Sequence, residues 1–362
     1  MIRSFKYRLY TSQKVSNKLD NYLENCRRLY NKLLYLEKIT YQLDEKFIFY
    51  NDLAKIIKTE KNIYSQVKQK IAKNLDTNLK KFFKGRKDGV GFPRFKRKDH
   101  CKSFTYPQSG FKLENEYLTL SGFSKIKVKE HRQIPKDCKI KTCTIKKEID
   151  FWYVIFTIEF PDKEVKRNDF KEIGIDLGCK DFITLSDGSK VENPKYLKNS
   201  INLISKFQNE KELLKNPRKK NKLSRKISKL HQKVFRQRED FQHKLSRKLV
   251  IEYSHIYIED LKINKMIKDS NEKKNLRKTI LDSGWNSFTQ KLSYKVEETG
   301  TRLVKVNPKN TTKMCSNCGL LVPKELSERI HKCSCGLILD RDINAALNIL
   351  SLGKRTLDSN VS

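Results

Sequence analysis

Apolar and polar positions alternate in steps of two from Arg3 to Leu9, with Phe5, Tyr7 and Leu9 set against Lys6 and Arg8, which predicts a strand. The period then changes. Leu19, Tyr22, Leu23, Cys26, Leu29, Tyr30, Leu33 and Leu34 recur at helical spacing and predict an amphipathic helix, and a second helical segment is expected over roughly residues 51–83. Short strand-like runs dominate from Ser103 to Phe160 and end in KIKTCTIKKE and DFWYVIFTIEF around a turn, the signal of a hairpin. With the first strand, residues 84–165 are expected to form a small β-barrel carrying the helical unit, residues 11–83, as an insertion.

The pattern changes again after the charged stretch Pro161 to Lys171. Ile173 to Gly178 and Phe182 to Leu185 read as apolar strands, the second followed by the turn Ser186-Asp187-Gly188-Ser189. Residues 201–250 are the clearest helical region, with Leu203, Phe207, Leu214, Leu223, Ile227, Leu230, Val234, Phe241, Leu245 and Leu249 mostly three, four or seven apart. Pro217 is expected to break it in two. A strand over Ile256 to Glu259, a helix from Trp285 to Glu298 ended by Gly300, a strand over Leu303 to Val306 and a helix from Asp342 to about Leu350 complete the pattern. The polar tail, residues 353–362, is expected to fray.

Charge narrows the function. The chain has 79 Lys and Arg against 42 Asp and Glu, a formal +37, which makes polyanions its natural partners. No run of ~18 apolar residues offers a membrane span, and no basic segment precedes an apolar stretch at Met1. A soluble protein, cytoplasmic or nuclear, is expected. The stretch GRKDGVGFPRFKRK combines Gly and Pro breakers with six cations and the interleaved Phe92 and Phe95, so Arg86, Arg94, Lys96 and Lys98 are candidates for backbone contact on a basic loop. Arg218, Lys219, Arg225 and Arg236, on the polar face of the long helical region, are candidates of the same kind. Either set also reads as ordinary solvated surface.

Four of the nine cysteines cluster late in the chain. Cys315-x-x-Cys318 and Cys333-x-Cys335 offer four thiolates, each pair followed by a glycine, Gly319 or Gly336, that allows the tight turn aiming both sulfurs at one ion. Tetrahedral zinc suits this set, and residues 309–336 are expected to form a zinc ribbon. The second pair is shorter than the usual C-x-x-C, and His331 is an alternative ligand. Cys26, Cys101, Cys138, Cys143 and Cys179 have no such spacing and read as ordinary thiols.

Three acids stand where a site could form. Asp176 interrupts one apolar strand, Glu259 closes another, and Asp342 opens the last helix, where Ala345 and Ala346 permit close packing. Hydrolysis of a phosphodiester by two metals needs converging carboxylates around ions ~3.5–4 Å apart. Each acid alone also reads as a turn or cap residue, Asp340 as readily as Asp342. Together they are costly to bury beside apolar strands unless a cation compensates.

The segments GIDLGCKDFITLSDG (174–188), IYIEDLKI (256–263), DSGWNSFTQKLSYKVEETG (282–300), NTTKMCSNCG (310–319) and CSCGLILDRDINAALNIL (333–350) resemble the successive motifs of the TnpB family. KYRLYTSQ, CRRLYNKLL and PRFK (93–96) agree with it. The resemblance implies an α/β chain with an RNase H-like (RuvC) nuclease domain, residues 166–308 and 337–352, around the inserted ribbon. It further implies an RNA-guided DNA endonuclease of an insertion sequence, similar to type V CRISPR effectors. Carried over by motif, the triad falls on Asp176, Glu259 and Asp342, the last preferred to Asp340 because it lies two places before Asn344-Ala345-Ala346. The implied cofactors are Mg, or Mn, at the triad and one structural Zn on Cys315, Cys318, Cys333 and Cys335. A guide RNA from the element's own transcript and a target DNA are the implied partners, with no membrane or small-molecule substrate, on the nucleoid of a prokaryote. A non-cleaving guided repressor and a transposase remain open alternatives.

Overall fold

The alternating run at the front of the chain forms strand β1 (Ile2–Tyr10), which turns Phe5, Tyr7 and Leu9 into a core. In this computed structural model two units are present, Met1–Lys163 and Glu164–Ser362. Residues 1–44, 47–161, 171–263, 266–267, 274–325 and 328–358 are described.

In the first unit, β1 is followed by helices α1 (Gln13–Asp44), α2 (Tyr50–Ile56) and α3 (Ser65–Gly85), and then by strands β2 (Ser103–Tyr106), β3 (Phe111–Glu114), β4 (Tyr117–Leu120), β5 (Ile126–Lys129), β6 (Lys139–Glu148) and β7 (Phe151–Glu159). They make one sheet of order β2-β6-β7-β1-β5-β4-β3, whose edge strands are joined by residues 107–110, so the sheet nearly closes on itself. Helix α1 buries the predicted face, Leu19, Leu23, Cys26, Leu29, Tyr30, Leu33 and Leu34. Its start is tied to the sheet by Lys147 Nζ on both Asp20 oxygens (2.5 and 2.7 Å) and by Trp152 Nε1 donating to Ser16 Oγ (3.2 Å).

The single helix expected over residues 51–83 is two. Tyr64 is extended (φ −56°, ψ 139°) and gives its N–H to Tyr22 Oη, while Lys68 Nζ bonds the Glu60 carbonyl. The break lets α2 bury Leu53 and α3 bury Val67, Ala72, Leu75 and Leu79 in the same core.

The second unit is built on a sheet of order β10-β9-β8-β11-β12, comprising β8 (Glu172–Leu177), β9 (Asp181–Leu185), β10 (Lys190–Glu192), β11 (His255–Glu259) and β12 (Arg302–Val306). β8, β11 and β12 run parallel, while β9 is antiparallel to its neighbours β8 and β10. Helices α4 (Tyr196–Leu213) and α5 (Pro217–Glu252) separate as the proline predicts: Pro217 takes the first helical position and Asn216 Oδ1 caps the Arg218 and Lys219 amides. α6 (Lys274–Ser283) and α7 (Trp285–Thr299) follow, then the hairpin β13 (Ile330–Lys332) and β14 (Ile338–Asp340), and α8 (Arg341–Asp358).

Strand periodicity divides this sheet into two faces. Ile173, Ile175, Ile256 and Ile258 pack with Leu245 and Leu249 of α5 and Phe288, Leu292 and Val296 of α7. The intervening positions, Gly174 and Asp176 on β8 and Tyr257 and Glu259 on β11, belong to the opposite face, where α8 packs. A Cβ on Gly174 would run into the Ala346 carbonyl and lie 2.8 Å from the Leu350 amide.

The tail expected to fray from residue 353 is instead helical to Asp358. Gly353 lies against the Tyr257 ring, where a side chain would collide, and Lys354 pairs with Glu172 at 2.7 Å, so tertiary contact carries the helix on. Residues 359–362 and most of the charged stretch at 162–170 lie outside the described residues.

Two outcomes follow from this packing. Gly174→Ala is expected to cost about 3 kcal/mol in denaturant unfolding, because the obstructing atoms are backbone and cannot rotate away; unchanged stability would mean that α8 does not rest on β8. In the first unit Glu37 is fully buried, with Oε1 lacking a hydrogen-bond partner among the described residues, and burial, aided by Asp76, pushes its carboxyl up to about 7. The raised value favours the protonated fold, so stability is fully present below the ordinary carboxylate range and falls as pH rises to about 7. Glu37→Gln should therefore melt higher than the parent, by a gap that opens across that window and stays constant above it; a pH-independent gap would contradict the assignment.

Candidate functional site

Asp176 and Glu259 stand near the carboxyl ends of adjacent parallel strands, where the register pairs Ile258 with Ile175. Such strand ends are the usual place for a site in an open α/β sheet. Asp342 reaches them from the first turn of α8. Asp176 is 8% exposed, and its carboxyl is pushed up to about 8, first by burial and then by the negative charge of Glu259 and Asp342, with Arg341 partly offsetting them. Burial also raises Glu259, against which a hydrogen bond from Thr311 acts. The Asp342 carboxylate is drawn toward Arg341 (3.0 Å) and Arg329 (3.4 Å).

Asp340 has a different environment. Its Oδ1 accepts the Asp342 and Ile343 amides, capping α8, and its Oδ2 pairs with Lys190 at 2.7 Å.

The four late cysteines form a second cluster. Their sulfurs all lie within 4.8 Å of one another, with Cys315 to Cys335 and Cys318 to Cys333 each at 3.6 Å. Four sulfurs bound tetrahedrally at ~2.3 Å from one ion lie about 3.8 Å apart, so this group can hold a metal such as zinc. The turns are made by local sequence: Gly319 (φ 78°) returns its amide to the Cys315 carbonyl, and Gly336 (φ 88°) to that of Cys333. The Leu337 amide, then Asn317, lowers Cys335 to about 6, favouring the thiolate. His331 stays out of the cluster, its Nδ1 facing Lys324 Nζ. Among the described residues this is the one such gathering of three or more metal-type ligands; the three carboxylates, with Asp342 held toward arginine, converge less tightly. The remaining five cysteines form no disulfide among the described residues.

Of the candidate cations, Arg86, Arg94, Lys98, Arg218, Lys219, Arg225 and Arg236 are exposed. Lys96 is half-buried, with Nζ 3.9 Å from the Tyr30 ring centroid and its backbone pinned by Arg27 and Asn31, so it anchors the loop on α1.

Several residues of this region escaped the sequence reading. Thr311 donates to Glu259 Oε1 at 2.5 Å, and Asn344 and Asn348 of α8 bond the backbone carbonyls of Thr311 and Met314. The one available signal was their spacing, i and i+4 behind Asp342 on the same helix.

Comparison with known proteins gives three family matches: a Cas12f1-like TNB domain over residues 285–349, the OrfB family of IS605, described as a probable transposase, over residues 155–270, and its helix-turn-helix domain over residues 1–46. The described residues of the last span are here a strand and one long helix. A Streptomyces pristinaespiralis protein provisionally named an RNA-guided DNA endonuclease is 29% identical over 368 residues, covering 97% of this chain and 89% of its own length. The Escherichia coli K12 protein provisionally named RNA-guided DNA endonuclease InsQ is 27% identical over 381 residues, 98% of this chain and 93% of that one. The TnpB-like protein L79 of Acanthamoeba polyphaga mimivirus is 32% identical over 230 residues, 59% of this chain and 43% of that one. Among solved structures, a CRISPR-Cas12f ternary complex is similar over 94% of this chain and 82% of that chain, at 16% identity and a TM-score of 0.41.

Cys315→Ser is expected to reduce the metal content of the purified protein and its soluble yield. Elemental analysis checks this, and a variant with unchanged metal and melting temperature would rule out the quartet as a metal centre.

Proposed function

This chain belongs to the TnpB family, and from that premise we propose that it is an RNA-guided DNA endonuclease of an insertion sequence, cutting through a RuvC-like site formed by Asp176, Glu259 and Asp342. The observation that carries this reading is the meeting of these three acids, two from adjacent strands and one from the packed helix, at one end of the sheet of the second unit. That arrangement is the one expected of an RNase H-like domain. Asp342 is taken as the third member because its charge acts on Asp176, whereas Asp340 caps α8 and pairs with Lys190.

The donor set fits Mg, with Mn as the substitute. Its ligands are hard carboxylate oxygens, and their mutual repulsion at Asp176 is the condition that a divalent cation relieves. Bound there, the ions supply activation of the attacking water and stabilisation of the leaving oxygen. Asp176 and Glu259 hold their carboxylates on rigid strands, while Asp342 approaches from a helix start. The cysteine quartet is assigned one structural Zn, since four thiolates leave no open position for chemistry.

A guide RNA from the element's own transcript supplies sequence choice by base pairing with the target DNA, as in RNA-guided recognition generally. The exposed Arg86, Arg94 and Lys98 of the first unit and Arg218, Lys219, Arg225 and Arg236 of the second are assigned to phosphate contact. Residues 309–336 are taken as the ribbon, and residues 1–10 with 84–165 as the nucleic-acid-binding barrel around the helical insertion.

Expression with native flanking DNA, sequencing of the RNA that co-purifies and cleavage of a matched target with Mg test this reading. A discrete RNA and Mg-dependent cutting are expected, with Asp176→Ala reduced to background while RNA and target binding persist. Cutting retained in Asp176→Ala would remove that residue from the triad. Tight target binding without cutting would point to a guided repressor, and cutting or joining without RNA to a transposase.

A further inference from the structure

Thr311 is 2% exposed and precedes the first cysteine pair. Its hydroxyl lies 2.5 Å from Glu259 Oε1 and 3.3 Å from the Pro308 carbonyl. A hydroxyl has one proton to donate, and the shorter contact has the length of a charge-assisted bond to a carboxylate. Thr311 therefore fixes which oxygen of Glu259 is engaged by the protein and which way the carboxylate is rotated.

The placement of that hydroxyl is traceable to α8. Asn348 Nδ2 donates to the carbonyls of Thr311 (2.8 Å) and Met314 (2.7 Å). Asn344 Nδ2 donates to Met314 O (2.8 Å), and its Oδ1 accepts the Ser316 amide (3.0 Å). Both carboxamides are essentially fully buried, Asn344 at 0% and Asn348 at 2% exposure. One helix thus presents Asp342 in its first turn and, two and six residues further on, grips the segment 311–316 that contains Cys315. That segment in turn carries the hydroxyl bonded to Glu259.

We infer that Thr311 is a positioning residue for Glu259, held in place by Asn344 and Asn348, and that the divalent-ion affinity of the carboxylate site depends on its hydroxyl. This rests on the reading of Asp176, Glu259 and Asp342 as the ion-binding set. Hydrogen-bond donors behind a liganding carboxylate orient it, and their loss typically weakens metal binding ~10–100-fold.

The test is Mn(II) binding, followed by electron paramagnetic resonance, to the full-length protein freed of nucleic acid in high salt, with metal content at the cysteines and melting temperature measured alongside. Thr311→Val, nearly isosteric but without the donor, should weaken Mn(II) binding about tenfold, with cysteine-bound metal unchanged. Thr311→Ser should restore binding, which recovery of packing alone would not do, because serine keeps the hydroxyl and loses the methyl. Glu259→Gln is the reference for the site itself. Parental affinity in Thr311→Val with binding lost in Glu259→Gln would overturn the positioning role and leave the triad standing. Parental affinity in Glu259→Gln would instead overturn the carboxylate reading. If Thr311→Val does not fold, Thr311→Ala takes its place and is read in the same way.

Discussion

Helix α8 comes down on β8 where Gly174 has no side chain, so closely that the Ala346 carbonyl and the Leu350 amide occupy the volume a Cβ would need. On the helix side Ala346 lies at this contact, and it and its neighbour Ala345 are small and fully buried. Because the approach is backbone to backbone, it fixes the helix against the strand with little freedom to slide or roll. Asp342 is thereby brought to Asp176 and Glu259, Asn344 and Asn348 reach the segment before the first cysteine pair, and Gly353 meets the Tyr257 ring. The acids, and the segment that leads into the first cysteine pair, are arranged as consequences of one packing contact.

The same contact gathers negative charge in a chain with a formal charge of +37. The excess does not cancel it. Most of the candidate cations are solvent-exposed, where water screens them, whereas Asp176 is buried beside two other carboxylates. Arg341 and Arg329 provide local compensation at Asp342, and Thr311 provides a donor at Glu259. None of these reduces the burial that raises Asp176, the largest cause of its shift.

The first unit solves a different problem. A sheet of seven strands would expose two edges, and here the edge strands β2 and β3 are consecutive in the chain, joined by residues 107–110, so the sheet nearly closes. The helical insertion covers part of this sheet and contributes its own face to the same core. Lys96 shows how a cation in a basic stretch can serve this scaffold, its ammonium over the Tyr30 ring and its backbone held by α1.

Local chemistry made much of this legible from the sequence. Periodicity of two and of 3.6 located β1, α1, the β6–β7 hairpin and the strands bearing Asp176 and Glu259, because those patterns follow from which side chains each element must bury. Pro217 marked a helix start, and paired cysteines followed by glycine marked a metal-type turn, since both act within a few residues. Tertiary structure decided what depends on distant partners. The break between α2 and α3 turns on Tyr22, and the continuation of α8 past Gly353 turns on Tyr257 and Glu172. Lys96 became an anchor through α1, and Thr311, unremarkable in a run of polar residues, acquired its place only when α8 brought that segment against β11. A pattern records what a residue must hide from water; which residue it meets is fixed only when two elements pack.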